Sequence, residues 1–187
     1  EDLCRALEEG GYDFLILCNP NNPTSSAVMQ EDLRSLLSFC AKSDIFVMID
    51  ETYVEFAPDV NAVTAVPLAK GFSNLMVLRG VSKFFAAPGM RLGYGITGNT
   101  DFLRVMKEKQ IPWSLNSIGA FAGEQMLKDS SYIEKTRSLI LSERSRMYSA
   151  LSEMTGCRVY TPYANFILLR ITKTGLTSYD VFENCIK

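Results

Sequence analysis

Histidine is absent from the 187 residues. A Ser-His-Asp or Cys-His nucleophile pair is therefore excluded within this chain, and a zinc site is not expected. Acid–base work is left to Lys, Tyr, Asp, Glu or Cys. A basic excess is also missing. The formal net charge is −2, without the electrostatic footprint of a nucleic-acid binder. No apolar run approaches the ~20 residues of a membrane span, and no charged-then-apolar leader opens the chain. G-x-x-x-x-G-K-[ST] is missing, and the G-x-G-x-x-G of Gly93–Gly98 begins within an expected strand and not after one, which argues against a nucleotide-binding α/β domain. Repeats and low-complexity tracts are lacking. Cysteine is sparse and odd in number: Cys4, Cys18, Cys40, Cys157 and Cys185 are scattered, mostly in apolar runs. That suits reduced thiols in a cytoplasmic protein better than a disulfide framework.

What is present is apolar patterning, with 47% hydrophobic and 21% charged residues, enough for one large domain or one and a half smaller ones. A helix over Asp2–Glu9 is closed by Gly10-Gly11. Phe14–Cys18 reads as a strand buried on both faces, and Asn19-Pro-Asn-Asn-Pro-Thr24 breaks it sharply. A helix over Met29–Lys42 carries Leu33, Leu36, Leu37 and Cys40 at helical spacing. Ile45–Ile49 and Leu75–Leu78 read as further strands, linked by an irregular segment over 54–70. Strand, helix, strand, connector, strand predicts a parallel α/β sheet with right-handed crossovers. The link to the run Leu92–Ile96 is too short for a comfortable helical crossover, so that fourth strand is expected to run antiparallel.

Helices are expected over 101–109 and 117–128, the second rich in small residues for close packing. Ser131-Tyr-Ile-Glu134 reads as a capping box opening a long helix to about Met154. Its stripe Ile133, Ile140, Met147 and Met154 is read as a face packed across two domains. Cys157–Tyr160 and Phe166–Leu169 read as a hairpin through Pro162, and a last helix starts at Ser178. The expected division is a partial large domain over 1–130, an interdomain helix over 131–155 and the start of a small domain over 156–187.

In parallel α/β sheets, ligands sit beyond the carboxyl ends of the strands. Three successive strands here end in polar chemistry: Asn21-Asn22, then Asp50 with Tyr53, then Ser82-Lys83. Arg91 opens the antiparallel strand and stands at the same edge. Lys83 is flanked by Phe84, Phe85 and two alanines. Apolar surroundings would disfavour its charged form and leave the neutral amine that Schiff-base chemistry uses. Other readings remain open. Asn21-Asn22 also makes a turn, Asp50 also caps the segment after its strand, Tyr53 also suits a half-buried core position, and Arg91 also suits an ion pair with Asp50 or Glu51. A shared cause at aligned positions is an anionic cofactor with an aromatic nitrogen. Pyridoxal phosphate matches group by group. Lys83 would be the Schiff-base lysine and Asp50 the partner of the pyridinium nitrogen. Asn22 and Tyr53 would bond the ring oxygen, with Ser82 and Arg91 on the phosphate.

Asn19-Pro-Asn-Asn-Pro-Thr24, Asp50-Glu-Thr-Tyr53 and Ser82-Lys83, followed at Arg91 by an arginine, resemble the three signatures of class I/II aminotransferases, the fold-type I pyridoxal phosphate enzymes. More narrowly, Leu17-Cys-Asn-Pro-Asn-Asn-Pro-Thr24, Ala87-Pro-Gly-Met-Arg-Leu-Gly-Tyr94 and Pro112-Trp-Ser-Leu-Asn116 resemble the threonine-phosphate decarboxylases of cobalamin biosynthesis, with the histidinol-phosphate aminotransferases second. The resemblance implies Lys83, Asp50 and Tyr53 as catalytic residues, with Asn22, Ser82 and Arg91 joining them at the cofactor. It implies a homodimer acting on an amino acid, possibly a phosphorylated one, and no metal, nucleic-acid or membrane partner. It also implies that the chain is part of a longer enzyme, because a Gly-rich phosphate cup, a stacking aromatic and substrate-binding arginines are missing; little turnover is expected from the 187 residues alone. One departure is Ser25, where the family usually carries glycine. A non-catalytic sensor or dimerisation module of the same fold would keep these residues too.

Overall fold

The computed structural model describes residues 2–187. The chain opens with α1 (Asp2–Gly10), β1 (Phe14–Cys18), α2 (Gln30–Lys42) and β2 (Phe46–Asp50). Single 3-10 turns flank the four-residue α3 (Val60–Val63) on the way to β3 (Leu75–Gly80), and β4 (Gly93–Ile96) follows. These four strands form one sheet in sequence order, parallel from β1 to β3, with β4 antiparallel to β3 as the short link requires. Cys18 pairs with Asp50 and Asp50 with Leu78, so the carboxyl ends of the three parallel strands are nearly flush. That register is what brings their polar sequels together.

The stripe of α2 does what its spacing predicts. Leu33, Leu37 and Cys40 are wholly buried against Val47, Ile49, Leu75 and Val77 of the sheet. Glu31 and Asp32 sit in the first turn of α2 and Lys42 in the last, both favourable to the helix dipole. β1 is a correction. Leu15 and Leu17 meet the core, but Phe14 and Ile16 on the opposite face are 47% and 59% exposed. An edge strand is covered only where a helix lies over it, and α1 and α2 lie over one face. On the other face Phe14 stacks on Phe46 at 5.8 Å, and Phe102 of α4 (Thr100–Lys109) tilts onto Phe46 at 4.7 Å.

α5 (Ser117–Lys128) approaches the start of β4 through a buried glycine: a Cβ at Gly123 would stand 2.1 Å from a methyl of Leu92. α6 (Ser130–Ser152) begins one residue earlier than its expected capping box, because Asp129 caps it by accepting from the Tyr132 N–H at 2.9 Å. A carboxylate at that position also meets the positive end of the dipole. The expected stripe is only partly packed, with Met147 and Met154 48% and 56% exposed, and the buried position on α6 is Arg144.

The closing hairpin pairs β5 (Cys157–Val159) with β6 (Leu169–Ile171), later than expected, since Phe166 leaves the ladder to pack edge-on against Tyr53 at 5.3 Å. α7 (Ser178–Cys185) starts where expected, behind a capping box of Thr177 and Asp180. Among the described residues no helix is long and apolar enough to cross a membrane.

Candidate active site

The β1 sequel is shaped by an amide that the sequence reading passed over. Asn19 is fully buried; its Oδ1 accepts from the Val28 N–H at 2.8 Å, and its Nδ2 donates to the carbonyls of Val28 and Val63 at 3.0 and 3.1 Å. Its own N–H reaches the Asp50 carbonyl at 2.9 Å, tying the loop to the end of β2. Asn21 turns inward to hold Thr24, accepting from its N–H and its hydroxyl. Asn22 is left exposed, its Nδ2 3.4 Å from the Tyr53 hydroxyl.

Consecutive strand residues point to opposite faces, and the end of β2 uses this. Asp50 faces the crevice, where its Oδ1 accepts from the Thr52 N–H at 2.9 Å and from the Thr52 hydroxyl. Its second oxygen has no protein donor among the described residues. Glu51 faces inward and is fully buried; it accepts from the Ala65 N–H at 2.5 Å and from Arg79 Nε and Nη2 at 3.0 and 2.8 Å. The Thr64 hydroxyl completes the cluster, donating to Glu51 and accepting from Arg79. Burial works against the Arg79 charge, but Glu51 and its hydrogen bonds outweigh that and hold the guanidinium above its ordinary range. Burial pushes the neighbouring Glu55 carboxyl up, opposed by its backbone hydrogen bond and Arg79. The alternative reading of Arg91 as an ion-pair partner of Asp50 or Glu51 is not found: the arginine on Glu51 is Arg79 of β3, whereas Arg91 Nη1 donates to the Pro88 carbonyl at 3.1 Å. An arginine inside an apolar strand, opposite a glutamate at the next strand's end, is the signal that could have found this pair.

After β3, Phe84 plugs into the core at 2% exposure, tilted against Phe56 at 5.4 Å and edge-on to Phe85 and Tyr132. The Tyr132 hydroxyl donates to the Phe84 carbonyl at 3.1 Å. The aromatics next to Lys83 therefore anchor the loop instead of surrounding the amine. Lys83 is exposed, so the desolvation expected from its neighbours in sequence is not found there. Its Nζ lies 5.9 Å from the centre of the Tyr53 ring, within cation–π range.

Two adjoining cavities result. One, of about 390 Å³, is lined by Cys18, Asn22, Asp50, Thr52, Tyr53 and Lys83 among others. The second, of about 420 Å³, is lined by Asp50 and Thr52 again, with Arg79, Ser82, Arg91 and Tyr94. The six predicted site residues are thus divided four to one cavity and two to the next, with Asp50 common to both. Burial, with the Asp50 charge behind it, pushes the Cys18 thiol up. Asn116 caps α5 and donates to the Met90 carbonyl at 3.1 Å, which makes it a support of the Arg91 loop. One cavity offers an amine, a carboxylate, a phenol and an amide; the other adds a hydroxyl and a guanidinium suited to an anion.

These features define an α/β protein with a ligand crevice at the carboxyl edge of a mostly parallel sheet. The family model for aminotransferase class I and II matches residues 1–181, and the chain belongs to that family. A Caldanaerobacter subterraneus protein provisionally named threonine-phosphate decarboxylase is 39% identical over 94% of this chain and 47% of its own. The histidinol-phosphate aminotransferase of Methanothermobacter thermautotrophicus is 32% identical over 100% of this chain and 48% of its own. Among solved structures, the histidinol-phosphate aminotransferase from Clostridium acetobutylicum superposes with a TM-score of 0.90 at 32% identity, covering 99% of this chain and 54% of that one. The chain spans about half the length of the relatives it matches.

Proposed function

We propose that the chain carries the cofactor site of a pyridoxal-phosphate enzyme acting on a phosphorylated amino acid, with decarboxylation of threonine phosphate as the reaction. Transamination of histidinol phosphate is the second reading, favoured by the 0.90 superposition. The higher identity, 39% against 32%, favours the decarboxylase. In this reading residues 1–130 form part of the cofactor-binding body, 131–155 an interdomain helix and 156–187 the first part of a smaller domain.

The observation that carries the reading is the donor set itself. Asp50 leaves one carboxylate oxygen without a protein donor, in a cavity that also holds the Lys83 amine. A ring with a protonated nitrogen fits that oxygen, and a phosphate fits Ser82 and Arg91 next door. When bound, the cofactor supplies an electron sink for the bond broken at the substrate Cα. Asp50 would keep the ring nitrogen protonated, its orientation set by Thr52. Tyr53 and Asn22, already within reach of each other, would share the ring oxygen. Lys83 would hold the cofactor through its amine and then supply a proton to Cα where carbon dioxide leaves or, in the second reading, take the proton from it. Ser82 and Arg91 would fix the phosphate, so that the ring keeps one orientation.

The test is spectroscopic first. Pyridoxal phosphate added to the protein should give a visible absorbance band that sodium borohydride fixes on the Lys83 peptide. Lys83→Ala should abolish the band, and Asp50→Asn should shift it and weaken binding by roughly tenfold or more. A band unaffected by Lys83→Ala would overturn the site. Carbon dioxide from threonine phosphate, against glutamate formed from 2-oxoglutarate and histidinol phosphate, separates the two reactions. We further propose pairing with a second copy. The support is the row of exposed apolar side chains along 111–121, with Ile111 at 75%, Trp113 at 99%, Ile118 at 76% and Phe121 at 68% exposure.

A further inference from the structure

Arg144 is the buried residue of α6, at 9% exposure. Its Nη1 donates to the carbonyls of Phe56 and Ala164 at 2.7 and 2.8 Å. Nη2 and Nε have no protein acceptor among the described residues. No buried side-chain nitrogen or oxygen among those residues is sealed off without a partner, so these two nitrogens are open rather than enclosed. Arg144 lines a cavity of about 320 Å³.

The charge there is not neutralised by the protein. Arginine cannot shed its proton at ordinary pH, and burying a charge without a counterion is costly. Among the described residues no carboxylate lies within ion-pair distance of Arg144. Glu143, its neighbour on α6, pairs with Arg146 at 2.8 Å, and Glu55 lies 3.6 Å from Arg79. Nearby stands a second cation: Arg137 donates to the carbonyls of Glu55, Ala57 and Pro58. Burial, and then the Arg137 charge, pull the Arg144 guanidinium below its ordinary range, the direction an anion would reverse.

The rest of the wall is mostly apolar, made by Pro58, Leu141, Tyr148 and Pro162, with hydroxyls from Ser145 and Thr161. A bare inorganic anion would leave that apolar wall unfilled. We propose that this cavity binds a small organic carboxylate, its anionic end on Arg144 and the two hydroxyls, its aromatic or aliphatic body on the apolar wall. The cavity shares no lining residue with the two described above, so the assignment is independent of the cofactor reading.

Titration of the protein with benzoate, followed through backbone amide chemical shifts, tests this. Benzoate at about 10 mM should move the amides of Leu141, Ser145, Tyr148 and Thr161 in a saturable way. Neutral benzamide and inorganic phosphate should each bind at least about tenfold more weakly, the first for lack of charge and the second for lack of a body. Ser145 is exposed at the rim, so Ser145→Phe should fill the cavity and remove the response while shifts elsewhere stay in place. Arg144→Lys keeps the charge without the planar fork and should weaken benzoate by about tenfold. Equal binding of benzamide, phosphate as tight as benzoate, an unaffected Ser145→Phe variant or no saturable shift at all would each overturn the proposal.

Discussion

Ser25 takes the place of a residue that is usually glycine in the family, and its φ of 59° is the left-handed conformation that explains the preference. It is fully buried, and its hydroxyl accepts from the N–H groups of Tyr163 and Ala164 at 3.2 and 2.9 Å. The serine thus exchanges backbone ease for two bonds that tie the first loop to the closing hairpin. Ser25→Ala keeps the unfavourable φ and leaves the Ala164 N–H without its partner, while the Tyr163 N–H keeps the Ser25 carbonyl at 2.7 Å, an expected cost of about 1–2 kcal/mol. Ser25→Gly relieves the φ, so it should cost about 1 kcal/mol less than alanine. Urea unfolding of the three proteins gives the order. Cys18 offers a pH test. Its raised thiol pKa means less thiolate at any given pH than an ordinary cysteine. Alkylation followed by peptide mapping should therefore rise at higher pH for Cys18 than for a cysteine in a short reference peptide. Asp50→Asn should move the Cys18 profile only part of the way back, because burial is the larger cause.

The ends of β2 and β3 are joined by the Glu51–Arg79 pair, with the arginine side chain 18% exposed and the glutamate fully buried. Removing one partner of such a pair leaves the other uncompensated, at a cost of about 3–5 kcal/mol. Arg79→Met is expected in that range by urea or thermal unfolding. Because Asp50 precedes Glu51, the same variant should also weaken pyridoxal phosphate binding. Glu51→Met with Arg79→Met should recover much of the stability, since a well-packed apolar pair replaces the ions. Equal destabilisation by the single and double variants would deny the coupling. The chain shows an arginine inside an apolar strand and a glutamate at a strand end, but not that the two meet. Alternation along β2 follows from the sequence, but which arginine lies opposite Glu51 depends on the register between strands. The reach of Phe166 to Tyr53 is hidden for the same reason: the apolar run starts a strand at Phe166, whereas β6 starts at Leu169.

Among the described residues, apolar side chains stay uncovered on the sheet face of Phe14 and Ile16, along 111–121, and on α7 at Tyr179 and Phe182. The apolar run predicts burial on both faces for Phe14–Cys18, and 111–116 reads as a turn before a helix over 117–128; hydrophobicity says that a residue is to be covered without saying by what. Trp113, the single tryptophan, is 99% exposed and reports on the second surface. If that surface pairs with another copy, Trp113 emission should shift to the blue and acrylamide quenching should fall as protein concentration rises. Emission independent of concentration, with a monomer mass in sedimentation, would deny the pairing.

Local order was set by short-range chemistry. Apolar runs placed all four strands of the main sheet within a residue or two, the period of α2 named its buried face, and a link too short for a crossover turned β4 antiparallel. The polar residues after each strand identified the crevice, because flush parallel strands put their sequels on one edge. Assembly alone decided the rest: that Lys83 is exposed while Phe84 fills the core, that Arg79 and not Arg91 meets Glu51, and that Arg144 is the buried face of α6. Each depends on which surfaces meet across the chain, and burial and ion pairing are properties of that meeting, absent from any short stretch of sequence.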